Sequence, residues 1–412
     1  MSTSISSLTR RKTRIVCISD THNQTPKLPK GDVLIHAGDL TNQGSYSELK
    51  KTVAWLERQD FEAVIVVAGN HDTTLDVPFF YSNENKWKWP SPQDPVACRK
   101  LLTESKHITY LESETATIYL TSPTGPRTCL RVFGSPCSPG RRGWAFQYWG
   151  EEEAEKTWAG IGMDVDVVVT HTPAYGFVDS RGKDGAGRTG CEMLGRKLEE
   201  LRPLMSVCGH IHSGRGVERV RWRTQTRDGG SLEGPFEERS PSSAPHSLVE
   251  AKEVWTDPGR GNNKISIVDL TSKSGHPIDN TGRLTRHVVP DSLRDLFWGQ
   301  PDAVPGSGGP QPGKIEAIST SSLEDVALRG SEAETWTRKA GGAVEWRNSD
   351  IGRSEVDADA VQSKAMRDRH ETAMINAAFL GPRNTGPMTF NKPIVVDVEL
   401  PVWEFSSAHH VQ

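Results

Sequence analysis

The stretch Arg14-Ile-Val-Cys-Ile-Ser-Asp-Thr-His22 joins a short apolar run to polar residues at its end. Residues 15–18 contain β-branched side chains without alternation, which is typical of a strand buried on both faces in a layered α/β domain. The turn that follows presents Asp20 and His22. A carboxylate and an imidazole two residues apart can point into one cleft, and together they suit a divalent transition metal.

Two later stretches repeat this arrangement of an apolar strand followed by polar residues. Asp32-Val-Leu-Ile-His-Ala-Gly-Asp39 ends in Gly-Asp, and the apolar run 63–68 leads into Gly69-Asn70-His71-Asp72. Between them, residues 45–58 are predicted to be helical, with Ser45 as the N-cap. Because parallel α/β sheets place their sites at the carboxyl ends of their strands, these polar residues are expected to meet.

Two further predicted strands end in histidine. The run 165–170 leads to His171, and the run 205–208 leads to Gly209-His210-Ile-His212. A lone histidine is more often a structural residue than a ligand, but here five of the thirteen histidines follow predicted strands. The candidate metal ligands are therefore Asp20, His22, Asp39, Asn70, His171, His210 and His212, with His71 and Asp72 as candidate catalytic residues.

This set is too large for one tetrahedral ion, which takes about four ligands. It suits two ions about 3.5–4 Å apart that share a carboxylate. Nitrogen and oxygen ligands without a thiolate favour Mn, Fe or Zn over Ca or Mg. Two such ions would lower the pKa of a bridging water to about 7, which provides a hydroxide for in-line attack on phosphorus.

Charge and composition narrow the function further. The chain has 412 residues and a formal charge of −4, which argues against a dedicated nucleic-acid surface. The arginine run at 219, 221, 223 and 227 is interpreted as a solvated strand face, with nucleic-acid binding as the less favoured alternative.

The six cysteines include no CxxC pair, so a reducing, cytoplasmic location is expected. No apolar run approaches the roughly 18–20 residues that cross a bilayer, so no membrane association is expected.

Composition also suggests the division of the chain. Residues 1–13 are predicted to be a flexible terminus, although a mitochondrial-type presequence remains an alternative. Residues 14–216 are predicted to be the catalytic core, and residues 371–412 to supply terminal strands that complete it. Residues 217–370 are rich in Ser, Pro, Gly, Arg and Glu and are predicted to be a largely disordered insertion. Within the insertion, the run 264–270 is predicted to be a strand and 290–298 a short helix.

A loop before the predicted helix at 151–158 is rich in arginine and aromatic residues. It either packs beneath a long loop or forms a substrate-facing lip, where aromatic rings grip a planar group and arginines attract phosphate. The residues are Arg141, Arg142, Trp144, Phe146, Tyr148 and Trp149.

These motifs, taken in order, resemble the calcineurin-like metallophosphoesterase superfamily. Several stretches are more specifically similar to the metallophosphoesterase-domain-containing proteins related to class III cyclic-nucleotide phosphodiesterases. The resemblance implies an α/β layered sandwich with two central mixed β-sheets flanked by helices. The stretches that carry it are Ile18-Ser-Asp-Thr-His22, His36-Ala-Gly-Asp-Leu-Thr41, Val67-Ala-Gly-Asn-His71, Gly143-Trp-Ala-Phe146, Gly190-Cys191-Glu192 and Ile375-Asn376-Ala377.

The resemblance also implies roles for the strand-end residues. One metal would be held by Asp20, His22 and His212, and the other by Asn70, His171 and His210, with Asp39 bridging both. His71 would stabilise charge and protonate the leaving oxygen, and Asp72 would orient His71. Some mammalian-type members of the subgroup carry glycine at the position of His210, so its presence here implies a complete dinuclear site.

The sequence is therefore compatible with three functions. The first is a metal-dependent phosphoesterase that acts on a phosphodiester or phosphomonoester, with a nucleotide among the candidate small-molecule substrates. The second is a protein Ser/Thr phosphatase. The third is a non-catalytic scaffold whose insertion binds a protein partner, although a scaffold would be expected to have lost Asp39 or His71.

Overall fold

The computed structural model describes residues 9–83, 86–181, 187–223, 248–259, 261–280, 288–298, 334–348, 369–382 and 387–405. Its helices are α1 (Tyr46–Leu56), α2 (Val77–Ser82), α3 (Pro95–Thr103), α4 (Glu151–Ala159), α5 (Glu192–Leu201) and α6 (Arg294–Trp298). Its strands are β1 (Arg10–Ile18), β2 (Val33–Ala37), β3 (Ala63–Val67), β4 (Ile108–Tyr110), β5 (Glu114–Tyr119), β6 (Cys129–Ser135), β7 (Ser138–Pro139), β8 (Gln147–Tyr148), β9 (Val167–Thr170), β10 (Ser180–Arg181), β11 (Gly187–Arg188), β12 (Met205–Cys208), β13 (Gly216–Trp222), β14 (Val249–Val254), β15 (Ser266–Asp269), β16 (Val288–Val289), β17 (Glu334–Arg338), β18 (Val344–Asn348), β19 (Glu371–Asn376), β20 (Ile394–Pro401) and β21 (Glu404–Phe405).

The first large sheet has the strand order β15-β20-β1-β2-β3-β4. Strands β1 to β4 are parallel, with Ile15 opposite Val33 and Val33 opposite Ala63. Strand β20 runs antiparallel to β1. Every residue of β2 and β3 is buried, which explains their continuous apolar runs.

The second large sheet has the strand order β14-β13-β19-β12-β9-β6-β5-β18-β17. Its central strands β19, β12, β9 and β6 are parallel, and antiparallel strands extend it on both sides. The terminal part of the chain contributes to both large sheets, because β19 pairs in the second sheet and β20 in the first.

The main core lies between these two sheets. Ile15 and Ile35 of the first sheet belong to the same buried cluster as Val169, Val207 and Ile375 of the second. The outer face of the first sheet packs against α1 and α3, and the outer face of the second against α4 and α5. The predicted sandwich of two mixed sheets flanked by helices is therefore confirmed.

The helix predicted at residues 45–58 forms as α1, which begins after Ser45. Ser45 and Glu48 make the reciprocal hydrogen bonds of a capping box, as their spacing predicts. Among the described residues, no helix combines the length and the apolar character that a bilayer span requires.

Parts of the predicted insertion belong to the sheets. Residues 216–222, which span the predicted boundary at 217, form β13 and pair with β19. Strand β14 extends the same edge, β15 joins β20, and the hairpin of β17 and β18 pairs with β5. The short helix expected at 290–298 includes α6. Residues 224–247, 299–333 and 349–368 lie outside the described residues, so their predicted disorder stays a prediction.

Candidate metal centre

The predicted site residues meet where the carboxyl ends of the two large sheets face each other. Asp20, Asp39 and Asn70 follow β1, β2 and β3 of the first sheet. His171 follows β9 of the second sheet, and His210 and His212 follow β12. The parallel strands thus deliver both carboxylates and most of the imidazoles to one edge.

Several of these residues have a left-handed backbone. The φ angles are +53° for Asp20, +43° for His22, +53° for Asp39 and +62° for His210. Residues other than glycine rarely adopt positive φ, and such strain clusters at functional sites. At Gly209 even a methyl group is excluded, because an added Cβ would clash with the side chains of Ser19 and Asp20.

Three histidines share one hydrogen-bonding arrangement. Nδ1 of His22 lies 3.1 Å from the carbonyl oxygen of Thr41, Nδ1 of His171 lies 3.0 Å from that of Ala37, and Nδ1 of His212 lies 3.3 Å from that of Gly381. A carbonyl oxygen only accepts, so each Nδ1 carries the proton. The lone pair is thereby left on Nε2, which is the usual arrangement of a metal-binding histidine.

The three Nε2 atoms converge on the two buried carboxylates. Nε2 of His212 lies 3.3 Å from Oδ1 of Asp20, and Nε2 of His22 lies 3.5 Å from Oδ2 of Asp39. Nε2 of His171 lies 3.4 Å from Oδ1 of Asp39 and 3.0 Å from Oδ1 of Asn70. Possible ligand atoms lie within 4.8 Å of one another in three groups: Asp20-His22-His212, Asp20-Asp39-His171 and His22-Asp39-His71.

The converging nitrogen and oxygen atoms are suited to bind cations. Nε2 of His22 is buried without a hydrogen-bond partner, although burial of an unpaired polar atom is costly. When His171 is neutral, with its proton on Nδ1, its Nε2 faces the oxygens of Asn70 and Asp39, so that acceptors meet without a donor. A divalent cation bound among them would satisfy these lone pairs.

The electrostatics favour the charge states of metal ligands for His22, His210 and Asp20, whereas His171 is held protonated. Burial lowers the pKa of His22 to about 4 and that of His210 to about 3, so both rings are neutral at pH 7. Burial opposes ionisation of Asp20, but the nearby His212 and His171 together outweigh it and lower the pKa of Asp20 to about 2. Burial acts against a charged His171 as well, yet Asp39 raises the pKa of His171 to about 9. A cation that binds there must displace this proton.

His71 lies beside the two buried carboxylates, and hydrogen bonds and ring contacts fix its position. Its Nδ1 donates to the carbonyl oxygen of Asn42 at 2.8 Å, and its backbone N–H donates to Oδ1 of Asp39 at 2.8 Å. Its ring centroid lies 4.7 Å from that of His22 and 4.2 Å from that of Trp144. Sequence reasoning missed Asn42, because a backbone carbonyl has no side-chain signature.

The hydrogen bonds of Asp72 go to Thr41, Leu40 and Gly69, and its predicted orienting role toward His71 stays a prediction. Its Oδ1 accepts from the backbone N–H and the hydroxyl of Thr41, and its Oδ2 accepts from the backbone N–H of Leu40 and Gly69. Burial raises the pKa of Asp72 to about 7, and the negative charge of Asp39 adds to the shift. Asp72 thus fixes the segment that leads to Asn42, whose carbonyl oxygen accepts from His71.

His210 is placed differently from the other histidines. Its backbone N–H donates to both carboxylate oxygens of Asp20, at 3.1 and 3.0 Å. Its ring lies edge-on to His171, with the centroids 4.9 Å apart. Its ring atoms belong to none of the three ligand groups formed by the described residues.

The arginine and aromatic loop at 141–149 was predicted either to pack beneath a long loop or to form a substrate-facing lip, and its side chains support both interpretations. Trp144 contacts His71 on one side and Trp87 on the other, with ring centroids 4.2 and 4.8 Å apart, so it borders the site. Tyr148 is buried against Trp158. Phe146 is partly buried and packs against the outer core of the first sheet. Arg141 lies over the exposed ring of Trp149, and Arg142 forms an ion pair with Glu153.

Two arginines of the run on β13 share one buried carboxylate. Arg219 donates from Nε to Oε2 of Glu371 at 2.9 Å, and Arg221 donates from Nη2 to Oε1 at 2.8 Å. Glu371 lies on the neighbouring strand β19 and is buried. Residue 227 lies outside the described residues.

Comparison with known proteins agrees with this geometry. A family model for the calcineurin-like phosphoesterases matches residues 13–214. The chain is 40% identical over 211 residues to a probable rhamnogalacturonate lyase C of Emericella nidulans, covering 51% of this chain and 18% of that protein. It is 37% identical over 215 residues to metallophosphoesterase domain-containing protein 1 of Homo sapiens, covering 50% and 62%. It is 31% identical over 215 residues to a UPF0046 protein of Caenorhabditis elegans, covering 50% and 71%.

The chain therefore belongs to the calcineurin-like phosphoesterase family. The predicted resemblance to the metallophosphoesterase-domain-containing proteins is confirmed as well. The alignments span less than two thirds of the length of the first two relatives. The family is one of phosphoesterase hydrolases with dinuclear divalent metal sites, and the ligand groups found here agree with it.

Proposed function

We propose that this protein is a metal-dependent phosphoesterase that hydrolyses a phosphodiester or a phosphomonoester, with nucleotides among its candidate substrates. One observation carries the proposal. Three histidines, each with Nδ1 committed to a backbone carbonyl, direct Nε2 at two buried carboxylates. Such a convergence of lone pairs is costly in a buried site unless cations compensate it.

Mn, Fe or Zn would suit these nitrogen and oxygen ligands. Asp20, His22 and His212 would hold one ion, Asp39 would contact both, and the remaining ligands would be Asn70, His171 and His210. When bound, the two ions offset the charge of phosphoryl oxygens and make bound water more acidic. The contribution of Asn70 is supported by its Oδ1, which lies 3.0 Å from Nε2 of His171.

His71 would supply the proton for the leaving oxygen. Asn42 fixes its Nδ1, so Nε2 is the atom left to exchange a proton with a substrate. Trp144 covers one face of the ring and limits its rotation. A proton donor placed in this way contributes about 10²–10⁴ to a hydrolysis rate. Asp72 acts as a positioning residue, because it fixes the segment that leads to Asn42.

A small panel of esters tests the proposal. The full chain is treated with chelator, reloaded with manganese, and assayed with p-nitrophenyl phosphate, bis(p-nitrophenyl) phosphate, a cyclic nucleotide and a phosphopeptide. We expect turnover of a small ester that chelator abolishes and manganese restores. Preference for the phosphopeptide would favour a protein phosphatase, and failure to hydrolyse any member would contradict the proposal.

Location and partners are also proposals. All six cysteines are free thiols, which supports a reducing compartment such as the cytoplasm. A protein partner of the predicted insertion would contact residues 224–247, 299–333 or 349–368, which lie outside the described residues. Deleting these segments separately should leave activity on small esters intact if they serve only a partner.

A further inference from the structure

We propose that Asn376 is a positioning residue that holds the loop 209–212 in its metal-binding conformation. The inference rests on the proposed metal-binding function of this loop. Asn376 is the last residue of β19, and the family match ends at residue 214. The family model therefore does not extend to this residue.

The side chain of Asn376 is fully buried and satisfied by backbone groups alone. Its Nδ2 lies 2.9 Å from the carbonyl oxygen of Ile211, 3.4 Å from that of Gly209 and 3.0 Å from that of Val178. Its Oδ1 accepts from the backbone N–H of Ala378 at 3.1 Å. The two loop carbonyls that it contacts belong to the residues on either side of His210.

The loop needs such support because its backbone is strained. His210 has a φ of +62°, which a residue with a side chain rarely adopts. Asp20 holds the N–H of His210, and Asn376 holds the carbonyls that flank it. The amide of Asn376 therefore fixes the peptide planes that set the directions of the His210 and His212 rings.

The topology explains why a distant residue does this. Strand β19 lies between β12 and β13, so Asn376 pairs with Cys208 just before the loop and with Gly216 just after it. Asn376 nevertheless follows Ile211 by 165 residues in the chain. The metal site is thus completed by a strand that is synthesised long after its ligands.

The test measures metal affinity in the full chain. Chelator-treated Asn376→Ala is titrated with Mn²⁺ by calorimetry and by electron paramagnetic resonance, beside the wild type. Groups that orient metal ligands typically contribute 10–100-fold to affinity, so we expect a loss of this size. Thermal unfolding in chelator shows how much of the loss is general destabilisation.

Asn280→Ala is the matched control. Asn280 is also buried, and its Nδ2 donates to the carbonyl oxygens of Arg202 and Glu371 at 3.1 and 3.0 Å, at the opposite end of β19. This variant should lose thermal stability but keep wild-type affinity for Mn²⁺. Asn376→Ser, which retains a donor in a smaller side chain, is measured in parallel so that a folding failure of the alanine variant does not end the test.

The outcomes separate this inference from the proposed function. Wild-type affinity for Mn²⁺ in the folded Asn376 variants, or an equal loss in Asn280→Ala, would overturn the role of Asn376. Hydrolysis by the wild type would then still support the phosphoesterase. If the wild type binds Mn²⁺ and the Asn376 variants do not, the inference stands even if no ester is hydrolysed. A wild type that binds no Mn²⁺ would overturn both.

Discussion

His71 donates from Nδ1 to the carbonyl oxygen of Asn42 across 2.8 Å. This hydrogen bond decides which ring atom is available for chemistry, because only Nε2 is left to exchange a proton. The ring of Trp144 lies against one face and the ring of His22 meets it edge-on. His71 is thus positioned before any substrate arrives, as a proton donor requires.

Replacing His71 by alanine should separate catalysis from metal binding. We expect kcat for a small phosphate ester to fall by about 10²–10⁴, because the proton donor is lost. The Mn²⁺ content should stay at the wild-type level, as determined by elemental analysis of the dialysed protein. Loss of one ion per chain would instead show that His71 is a ligand, as its place in the group with His22 and Asp39 allows.

Trp144→Ala should slow the reaction without removing metal. The substitution frees one face of His71, and misplacement of a catalytic group can reduce a rate by about 10²-fold. Steady-state kinetics should show the loss mainly in kcat. Trp149→Ala is the matched control, because Trp149 is exposed on the same loop and contacts Arg141. Equal losses in the two variants would argue against a specific effect on His71.

Glu371→Gln should reveal a pH-dependent contribution to stability. Burial alone would raise the pKa of Glu371, but the hydrogen bonds from Arg219 and other donors outweigh it and lower the pKa. A lowered pKa stabilises the fold above the unfolded-state value of about 4.3 and ceases to do so as the pH falls through the folded-state value. The variant should therefore unfold about 2 kcal/mol more easily at pH 7, and the difference should shrink towards pH 3.

Urea unfolding at both pH values measures this difference. Glu250→Gln is the control, since Glu250 is an exposed carboxylate on β14 at the edge of the same sheet. It should change the free energy of unfolding by less than about 0.5 kcal/mol at either pH. A Glu371→Gln difference that stays constant from pH 7 to pH 3 would rule out an ionic contribution.

The strands around the site could be predicted because their signals are local. Buried runs such as β2 and β3 read as strands without knowledge of their neighbours, and the polar residue after each run marks the sheet edge. The capping box of α1 is equally local, since Ser45 and Glu48 are three residues apart. The candidate ligands could therefore be placed at one edge before the structure was known.

Contacts between distant parts of the chain could not be predicted in this way. The arginine run on β13 was expected to be solvated, because its partner Glu371 lies about 150 residues beyond Arg219 and Arg221 in the chain. Asn376 is a single amide in an apolar strand, and nothing near it shows that it contacts Gly209 and Ile211. Asn42 acts through its backbone carbonyl, which every residue possesses.

Titration of the chelator-treated full chain with manganese, followed by the rate of bis(p-nitrophenyl) phosphate hydrolysis, tests the central claim most directly. If two ions occupy the site formed by Asp20, Asp39 and the surrounding histidines, the rate should rise from near zero and level off at two equivalents per chain. Asp39→Asn should show no such rise, because this carboxylate belongs to two of the three ligand groups and would contact both ions. A chain that binds manganese tightly yet hydrolyses neither this diester nor p-nitrophenyl phosphate at any ratio would contradict the account.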